Sequence, residues 1–108
     1  MRLGQHQEAF SRDLVRLLAE AHRLGYEVRI GEVFRTVEQQ KLYIRQGRSK
    51  TMNSMHLKKC AADLHFTKDG RVCYPEELGK FWNALDPANS AGMFWRSFKD
   101  SPHFQRTC

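Results

Sequence analysis

Two residues near the middle of the chain, His56 and Asp63, carry side chains that suit a metal ion of borderline hardness. A neutral imidazole and a carboxylate both bind zinc, and a loop followed by a strand can fold the two together. The pair alone carries little weight, because 12 acidic residues are spread through the 108 positions. It therefore predicts a metal site only if further ligands accompany it.

The segment Asp100-Ser101-Pro102-His103 supplies a second acid and a second imidazole. Pro102 has no backbone N–H and favours extended geometry at Ser101, which predicts a rigid extended loop rather than a helical turn. In such a loop Asp100 and His103 can face one cavity, where one binds a metal and the other transfers protons. A plain surface turn is the alternative for this segment.

Arg35 lies where a predicted strand gives way to a predicted helix. Side chains at such junctions are often presented to a binding or catalytic site. The alternative is a surface ion pair with Glu32 or Glu38, which would contribute little to stability. His65, two residues after Asp63 on the same strand face, is expected to be a solvated histidine; the alternative is that it supports a ligand or replaces one.

The elements that must position these residues follow from hydrophobic spacing and turn signals. The predicted fold is α+β, a small single domain over residues 1–108 with helices packed on an antiparallel sheet. The predicted elements are helix Gln7–Leu24, strand Tyr26–Ile30, a helix capped by Thr36 and ending at Gly47, a loop up to Met55, strand Ala61–Phe66, a hairpin turn at Asp69-Gly70, strand Arg71–Tyr74, a helix beginning at Pro75 and an aromatic strand Met93–Phe98.

Composition excludes several classes of protein. The chain is 41% hydrophobic and 28% charged, as globular proteins are. No apolar run approaches the length of a membrane span, and no secretory signal is visible, which predicts a protein that is cytoplasmic at synthesis. Three cysteines form an odd set without a C-x-x-C pair, so reduced thiols are expected rather than a disulfide framework.

The net charge of +6 has a local origin. No carboxylate occurs between Glu38 and Asp63, a stretch that holds six cations: Lys41, Arg45, Arg48, Lys50, Lys58 and Lys59. A basic stretch attracts anionic partners, which include nucleic acid, an anionic cell wall and acidic peptides. No recognition helix or RNA-binding signature supports nucleic acid. A solvated loop without a partner is the remaining alternative.

Three segments in order resemble the M15 family of D-alanyl-D-alanine carboxypeptidase-like zinc peptidases. The run Ser54-x-His56-x-x-Lys59-x-Ala61-x-Asp63 is similar to the family's S-x-H-x-x-G-x-A-x-D motif. Asp100-x-x-His103, after the aromatic stretch 94–98, is similar to the closing motif. Phe34-Arg35-Thr36, with the residues up to Arg48, resembles the upstream segment. The compact phage L-alanyl-D-glutamate endopeptidases are the subgroup that the chain resembles most.

The resemblance implies a fold of the hedgehog/DD-peptidase type and a Zn²⁺ cofactor. It implies that His56, Asp63 and His103 bind the zinc and that Asp100 is the catalytic acid and base. Arg35 and Ser54 match positions that contact the substrate or the developing oxyanion. Three protein ligands would leave one zinc position open, as catalytic sites require.

The implied activity is hydrolysis of an amide bond in the stem peptides of bacterial peptidoglycan, either L-Ala–D-Glu or D-Ala–D-Ala. Because the family has glycine where this chain has Lys59, a catalytically impaired wall-binding module on the same fold is the alternative. The free carboxylates of stem peptides would give the basic stretch a purpose.

The expected setting is a phage or prophage lysis enzyme that reaches the wall after a holin opens the membrane. We expect a monomer, without nucleic-acid partners or stable membrane association.

Overall fold

A computed structural model describes all 108 residues of the chain. It is a small α+β fold, as predicted, with three helices and an antiparallel sheet. The helices are α1 (Leu3–Arg23), α2 (Val37–Arg45) and α3 (Glu76–Leu85); the strands are β1 (Glu27–Ile30), β2 (Ala61–Lys68), β3 (Arg71–Cys73), β4 (Asn89–Ala91) and β5 (His103–Arg106). Two 3₁₀ helices cover Met55–Lys58 and Gly92–Phe94. None of the helices combines the length and the apolar character needed to cross a bilayer.

The long strand β2 organises the sheet. The strand order is β1-β2-β5-β4, and β3 also pairs with β2. The first residues of β2 pair with β5, whereas its later residues pair with β1 and β3. The turn between β2 and β3 is the predicted one, since Asp69 and Gly70 have φ of 52° and 77°, as a tight hairpin requires.

Alternation along β2 separates the core from the opposite face of the sheet. Ala62, Leu64 and Phe66 are fully buried in a cluster with residues of α1 and α3, among them Leu17 and Trp82. Asp63 and His65 alternate with these residues, and both line a cleft on the other face. The core thus fixes which β2 side chains reach the cleft, because a register slip of one residue would exchange the two faces.

Helix α1 begins about one turn earlier than the predicted Gln7 and ends at Arg23. The Gln5 side chain accepts a hydrogen bond from the Arg2 backbone N–H at 2.9 Å, which satisfies a donor at the helix start. Gly25, with φ of 91°, ends the helix as expected. Helix α2 follows its predicted cap, since the Thr36 hydroxyl accepts from the Gln39 N–H at 3.1 Å.

The predicted aromatic strand Met93–Phe98 is wrong. The backbone of this stretch forms local hydrogen bonds, because the Gly92 carbonyl accepts from the Trp95 N–H at 3.2 Å and from the Asp100 N–H at 3.0 Å. These local bonds replace the hydrogen bonds to a neighbouring strand that a β-strand would need. The sheet is completed instead by β4, which precedes Gly92, and by β5, which starts at His103 although the sequence predicted an extended loop there.

Candidate metal centre

His56, Asp63 and His103 come together although they lie on three separate elements. One ligand atom from each residue lies within 4.8 Å of the others. His56 is on the first 3₁₀ helix, Asp63 is on β2 and His103 is on β5. Both imidazoles are almost completely buried, and the carboxylate is partly exposed towards the cleft. This is the set that the sequence motifs predicted to converge, and it could hold a metal ion.

Hydrogen bonding determines which nitrogen of His56 faces the centre. Its Nδ1 lies 2.9 Å from the carbonyl oxygen of Val33. A carbonyl only accepts, so Nδ1 carries the proton, and in the neutral ring Nε2 keeps a bare lone pair. That Nε2 lies 3.3 Å from Asp63 Oδ1, and neither atom has a hydrogen-bond partner.

His103 is oriented in the same manner by a neighbour on its own strand. Its Nε2 lies 2.8 Å from Gln105 Oε1, and the Gln105 amide donates in turn to Thr107 Oγ1 at 3.0 Å. The amide oxygen accepts the His103 Nε2 proton, which leaves Nδ1 unprotonated. Nδ1 lies 3.6 Å from Asp63 Oδ1, so its lone pair also faces the centre.

The buried ligand atoms of His56, Asp63 and His103 are better suited to binding a cation than to hydrogen bonding with one another. Burial raises the pKa of Asp63, but His103 and His56 in their protonated forms would donate to it and hold that pKa below its ordinary value. At a pH where both rings are neutral, well above the ordinary pKa of an aspartate, the carboxylate is ionised. Two imidazole lone pairs and a carboxylate, all acceptors, converge without a shared donor, and buried groups without partners are costly. A divalent ion satisfies all three.

Asp100 lies beside this group rather than within it. Its Oδ2 is 3.7 Å from His103 Nδ1, and its side chain is 46% exposed. Burial, with a smaller contribution from Asp63, raises the pKa of Asp100 above its ordinary value despite the nearby cationic groups. Gly92 permits this placement, because a Cβ at position 92 would lie 2.3 Å from the Asp100 carbonyl oxygen. Asp100 thus reaches the cleft as a carboxyl that holds its proton more readily than a surface aspartate.

Arg35 and Ser54 also line the cleft. The Arg35 side chain is 12% exposed and is ion-paired with Glu32, which its Nε contacts at 2.6 Å. The predicted ion pair with Glu32 is therefore present, but it is largely buried rather than at the surface. Arg35 Nη1 also donates to Gln40 Oε1 at 2.8 Å and to Ser54 Oγ at 3.3 Å. Ser54 Oγ accepts from the His56 N–H at 3.3 Å, so it also orients the first ligand's helix.

Lys59 occupies the backbone conformation that a glycine takes most easily. It ends the 3₁₀ helix with φ of 57° and ψ of 36°, in the left-handed region. Its N–H bonds to the His56 carbonyl at 3.3 Å. The link between His56 and Asp63 thus has a glycine-like path despite the lysine side chain.

The sequence analysis did not identify three groups that orient the residues of the site: the side chains of Gln105 and Gln40 and the carbonyl of Val33. Gln105 could have been found from β5, since residues two apart on a strand face the same side. Gln40, fully buried beneath Arg35, and the Val33 carbonyl carry no sequence signal. His65 does not join the three ligands; its Nδ1 lies 2.7 Å from the Tyr74 hydroxyl.

The centre opens into a cleft of about 800 Å³. Its polar walls include Arg35, Ser54, Asp100, Trp95 and the loop after α2. The Trp95 ring lies 4.9 Å from the His103 ring, between centroids, and so covers one side of that ligand. The geometry provides a potential cation site in an open cleft that a carboxyl and a guanidinium also line.

Comparisons with known proteins agree on one kind of relative. A family model described as phage L-alanyl-D-glutamate peptidase matches residues 2–104. The L-alanyl-D-glutamate peptidase of Listeria phage A118 is 37% identical over 97 residues, which cover 83% of this chain and 34% of that protein. The chain therefore spans about a third of the length of this relative. The crystal structure of the Serratia marcescens L-Ala D-Glu endopeptidase ChiX superposes with a TM-score of 0.67 at 26% identity, covering 99% of this chain and 87% of that one.

Proposed function

The chain belongs to the family of phage L-alanyl-D-glutamate peptidases, and from that premise we propose that it is a zinc-dependent endopeptidase of bacterial peptidoglycan. The bond cleaved is the amide between L-alanine and D-glutamate in the stem peptide, which the names of its relatives favour over D-Ala–D-Ala. One observation carries the proposal above all. Two buried imidazole lone pairs and an ionised carboxylate converge beside an open cleft.

His56 Nε2, Asp63 Oδ1 and His103 Nδ1 would hold the zinc. Two imidazoles and one carboxylate are a donor set that catalytic zinc sites use. When bound in such a set, zinc polarises a substrate carbonyl and makes water a nucleophile near neutral pH. The protein's own contribution is orientation, because Val33 and Gln105 hold the two imidazoles with their lone pairs towards the centre.

Asp100 moves the proton in this proposal. Its carboxylate takes a proton from the attacking water and later donates it, from Oδ2, to the amine of the departing glutamyl residue. Both transfers require a carboxyl that faces the cleft without being a ligand. The raised pKa of Asp100 suits the second transfer, because the protonated form is less costly there than at the surface.

Arg35 orients the scissile carbonyl and stabilises the negative charge that develops on its oxygen. Its guanidinium is held by Glu32 and Gln40, so little reorganisation accompanies the reaction. Ser54, 3.3 Å from the same guanidinium, contacts the substrate from this wall. The wall-binding alternative rested on Lys59, whose left-handed backbone preserves a glycine-like loop and so favours an active enzyme.

The test is cleavage of purified peptidoglycan, with the fragments identified by mass spectrometry. We expect stem peptides that begin at D-glutamate, about one zinc per chain, loss of activity with a chelator and recovery with zinc. His103→Ala should lose zinc and activity together, whereas His22→Ala, at an exposed position of α1, should keep both. Cleavage that persists after all metal is removed would contradict the proposal. The phage-lysis setting and the need for a holin stay predictions.

A further inference from the structure

Three cations, Arg48, Lys50 and Lys99, line the same cleft as the metal centre, and together they form what we call its basic end. The carboxylates that line the same cleft are engaged elsewhere. Glu32 is paired with Arg35, and Asp63 and Asp100 belong to the metal centre. No carboxylate of the chain forms an ion pair with the three cations of the basic end. An anion binding there would therefore meet uncompensated positive charge.

Arg48 is exposed, but its side chain is stacked on an aromatic ring. Gly47, with φ of 74°, turns the chain back at the end of α2, and the Arg48 N–H bonds to the Tyr43 carbonyl at 2.8 Å. The guanidinium carbon then lies 4.4 Å from the centroid of the Tyr43 ring. Stacking of this kind restricts the motion of the Arg48 side chain, so less conformational entropy is lost when an anion binds to it.

The loop that follows Arg48 is held by hydrogen bonds from the buried side chain of Gln40. The Gln40 amide nitrogen donates to Ser49 Oγ at 2.8 Å and to the Thr51 carbonyl at 2.6 Å. Gln40 is fully buried, and its oxygen accepts from Arg35. One amide therefore links Arg35 to the loop of the basic end, so the two parts of the cleft keep a defined separation.

Two guanidiniums lie against the same aromatic ring, but only one has a counter-ion. The Arg35 guanidinium carbon is 4.7 Å from the Tyr43 centroid and is neutralised by Glu32. Arg48 has no such partner. An anion beside Arg48 would therefore supply the counter-charge that Glu32 supplies to Arg35, through charge-assisted hydrogen bonds.

The opposite rim of the basic end is also constrained. Lys50 Nζ lies 4.6 Å from the centroid of the Phe98 ring, so the two loops meet across the groove. Phe98 has φ of 53°, a region that bulky residues rarely adopt, and its side chain is 43% exposed. Backbone strain of this kind is found where a side chain is held for a site.

We propose that Arg48, assisted by Lys50, binds a free carboxylate of the stem peptide and thereby selects substrates that carry it. This inference rests on the proposed endopeptidase function. Glutamate has two carboxyls, of which one continues the stem peptide, so the other stays free and is ionised near neutral pH. The C-terminal carboxylate of the stem peptide is the second possible source. A guanidinium binds either group through two parallel hydrogen bonds.

Three synthetic stem peptides separate the sources: one with all carboxylates free, one amidated only at the glutamyl carboxylate and one amidated only at the C-terminus. The zinc-loaded protein, Arg48→Gln, Lys50→Gln and the charge-matched control Arg45→Gln are compared by kcat/KM. Arg45 is exposed in the last turn of α2 and does not line the cleft. We expect the unmodified protein and the control to prefer one free carboxylate about fivefold to tenfold, and Arg48→Gln to lose that preference.

The same peptides are titrated by calorimetry into zinc-loaded Asp100→Ala protein, with and without Arg48→Gln. This arm keeps the two proposals distinguishable. If no peptide is cleaved but binding still depends on Arg48 and on one carboxylate, the peptidase function fails and the subsite stands. If Arg48→Gln weakens all three peptides equally, if no amidation matters in either arm, or if only Lys50→Gln abolishes the preference, the assignment to Arg48 is wrong.

Discussion

Asp63 and His103 are direct partners across the antiparallel pair of β2 and β5. Residues paired in this way project to the same face of the sheet with their Cβ atoms close together. Two of the three proposed ligands are therefore placed by backbone hydrogen bonding between strands, and only His56 comes from a separate turn. A centre built on a sheet in this manner is largely formed before any ion binds.

Gln105 lies on the same strand as His103 and orients its ring, so changing Gln105 should weaken metal binding without removing a ligand. We expect Gln105→Ala to lower zinc affinity by about tenfold to a hundredfold, because the His103 ring loses the acceptor that holds its Nε2 proton. A competition titration with a chromophoric chelator measures this. Gln39→Ala, at a partly buried position of α2 that does not line the cleft, is the control. Equal affinities for the two variants would show that Gln105 does not support the ligand.

Asp100 should be needed for turnover and dispensable for the metal. We expect Asp100→Asn to lower kcat by about a hundredfold to ten-thousandfold, because an amide cannot take up and release the proton. Zinc content should stay at that of the unmodified protein, since Asp100 is not one of the three converging groups. Glu38→Gln, which removes an exposed carboxylate from α2, controls for charge. Loss of zinc from Asp100→Asn would make Asp100 a ligand instead.

Lys59 should respond to substitution through its backbone. A non-glycine residue in the left-handed region, such as Lys59, destabilises the folded state by about 1–2 kcal/mol. Glycine avoids this strain, but its unfolded chain has more conformational entropy, so only part of the energy is regained. We expect Lys59→Gly to raise the free energy of unfolding by up to about 1 kcal/mol with activity within twofold. Lys59→Val should lower it by about 1 kcal/mol, because a branched Cβ fits this region poorly.

Chemical denaturation of the zinc-loaded proteins measures the free energy of unfolding of the unmodified protein, Lys59→Gly and Lys59→Val. If Lys59→Gly raised activity many-fold, lysine would be impairing the enzyme, and the wall-binding alternative would regain support.

Cys60 should behave as an unreactive thiol. Its burial, and then its contact with Cys108, raises the pKa of Cys60 to about 12. The unfolded thiol has a pKa of about 8.5, so the folded state binds the proton more tightly. The resulting stability is complete below that value and is lost as the pH rises from it towards 12. At pH 8 we expect iodoacetamide to modify the partly exposed Cys73 well before Cys60.

Peptide mapping by mass spectrometry gives the two alkylation rates, and the same reaction in denaturant removes the protection as a control. Comparable rates in the native protein would mean that the Cys60 thiol is accessible, contrary to its complete burial.

Features that depend on neighbours in the chain could be predicted from the sequence. The cap of α2 at Thr36 and the turn at Asp69-Gly70 are decided by a few adjacent side chains and their backbone preferences. Local chemistry was sufficient for each of these. The proposed ligands His56, Asp63 and His103 were identified differently, from the resemblance of their motifs to those of a peptidase family, because their residue types alone carried little weight.

The tertiary structure alone decided the rest. Whether residues 93–98 or 103–106 form the strand depends on which segment finds a backbone ladder on β2, and periodicity does not encode that partner. The orientation of His56 depends on the Val33 carbonyl, and the loop of Arg48 depends on buried Gln40. Hydrogen bonds between residues distant in the chain have no sequence period, so only the folded arrangement reveals them.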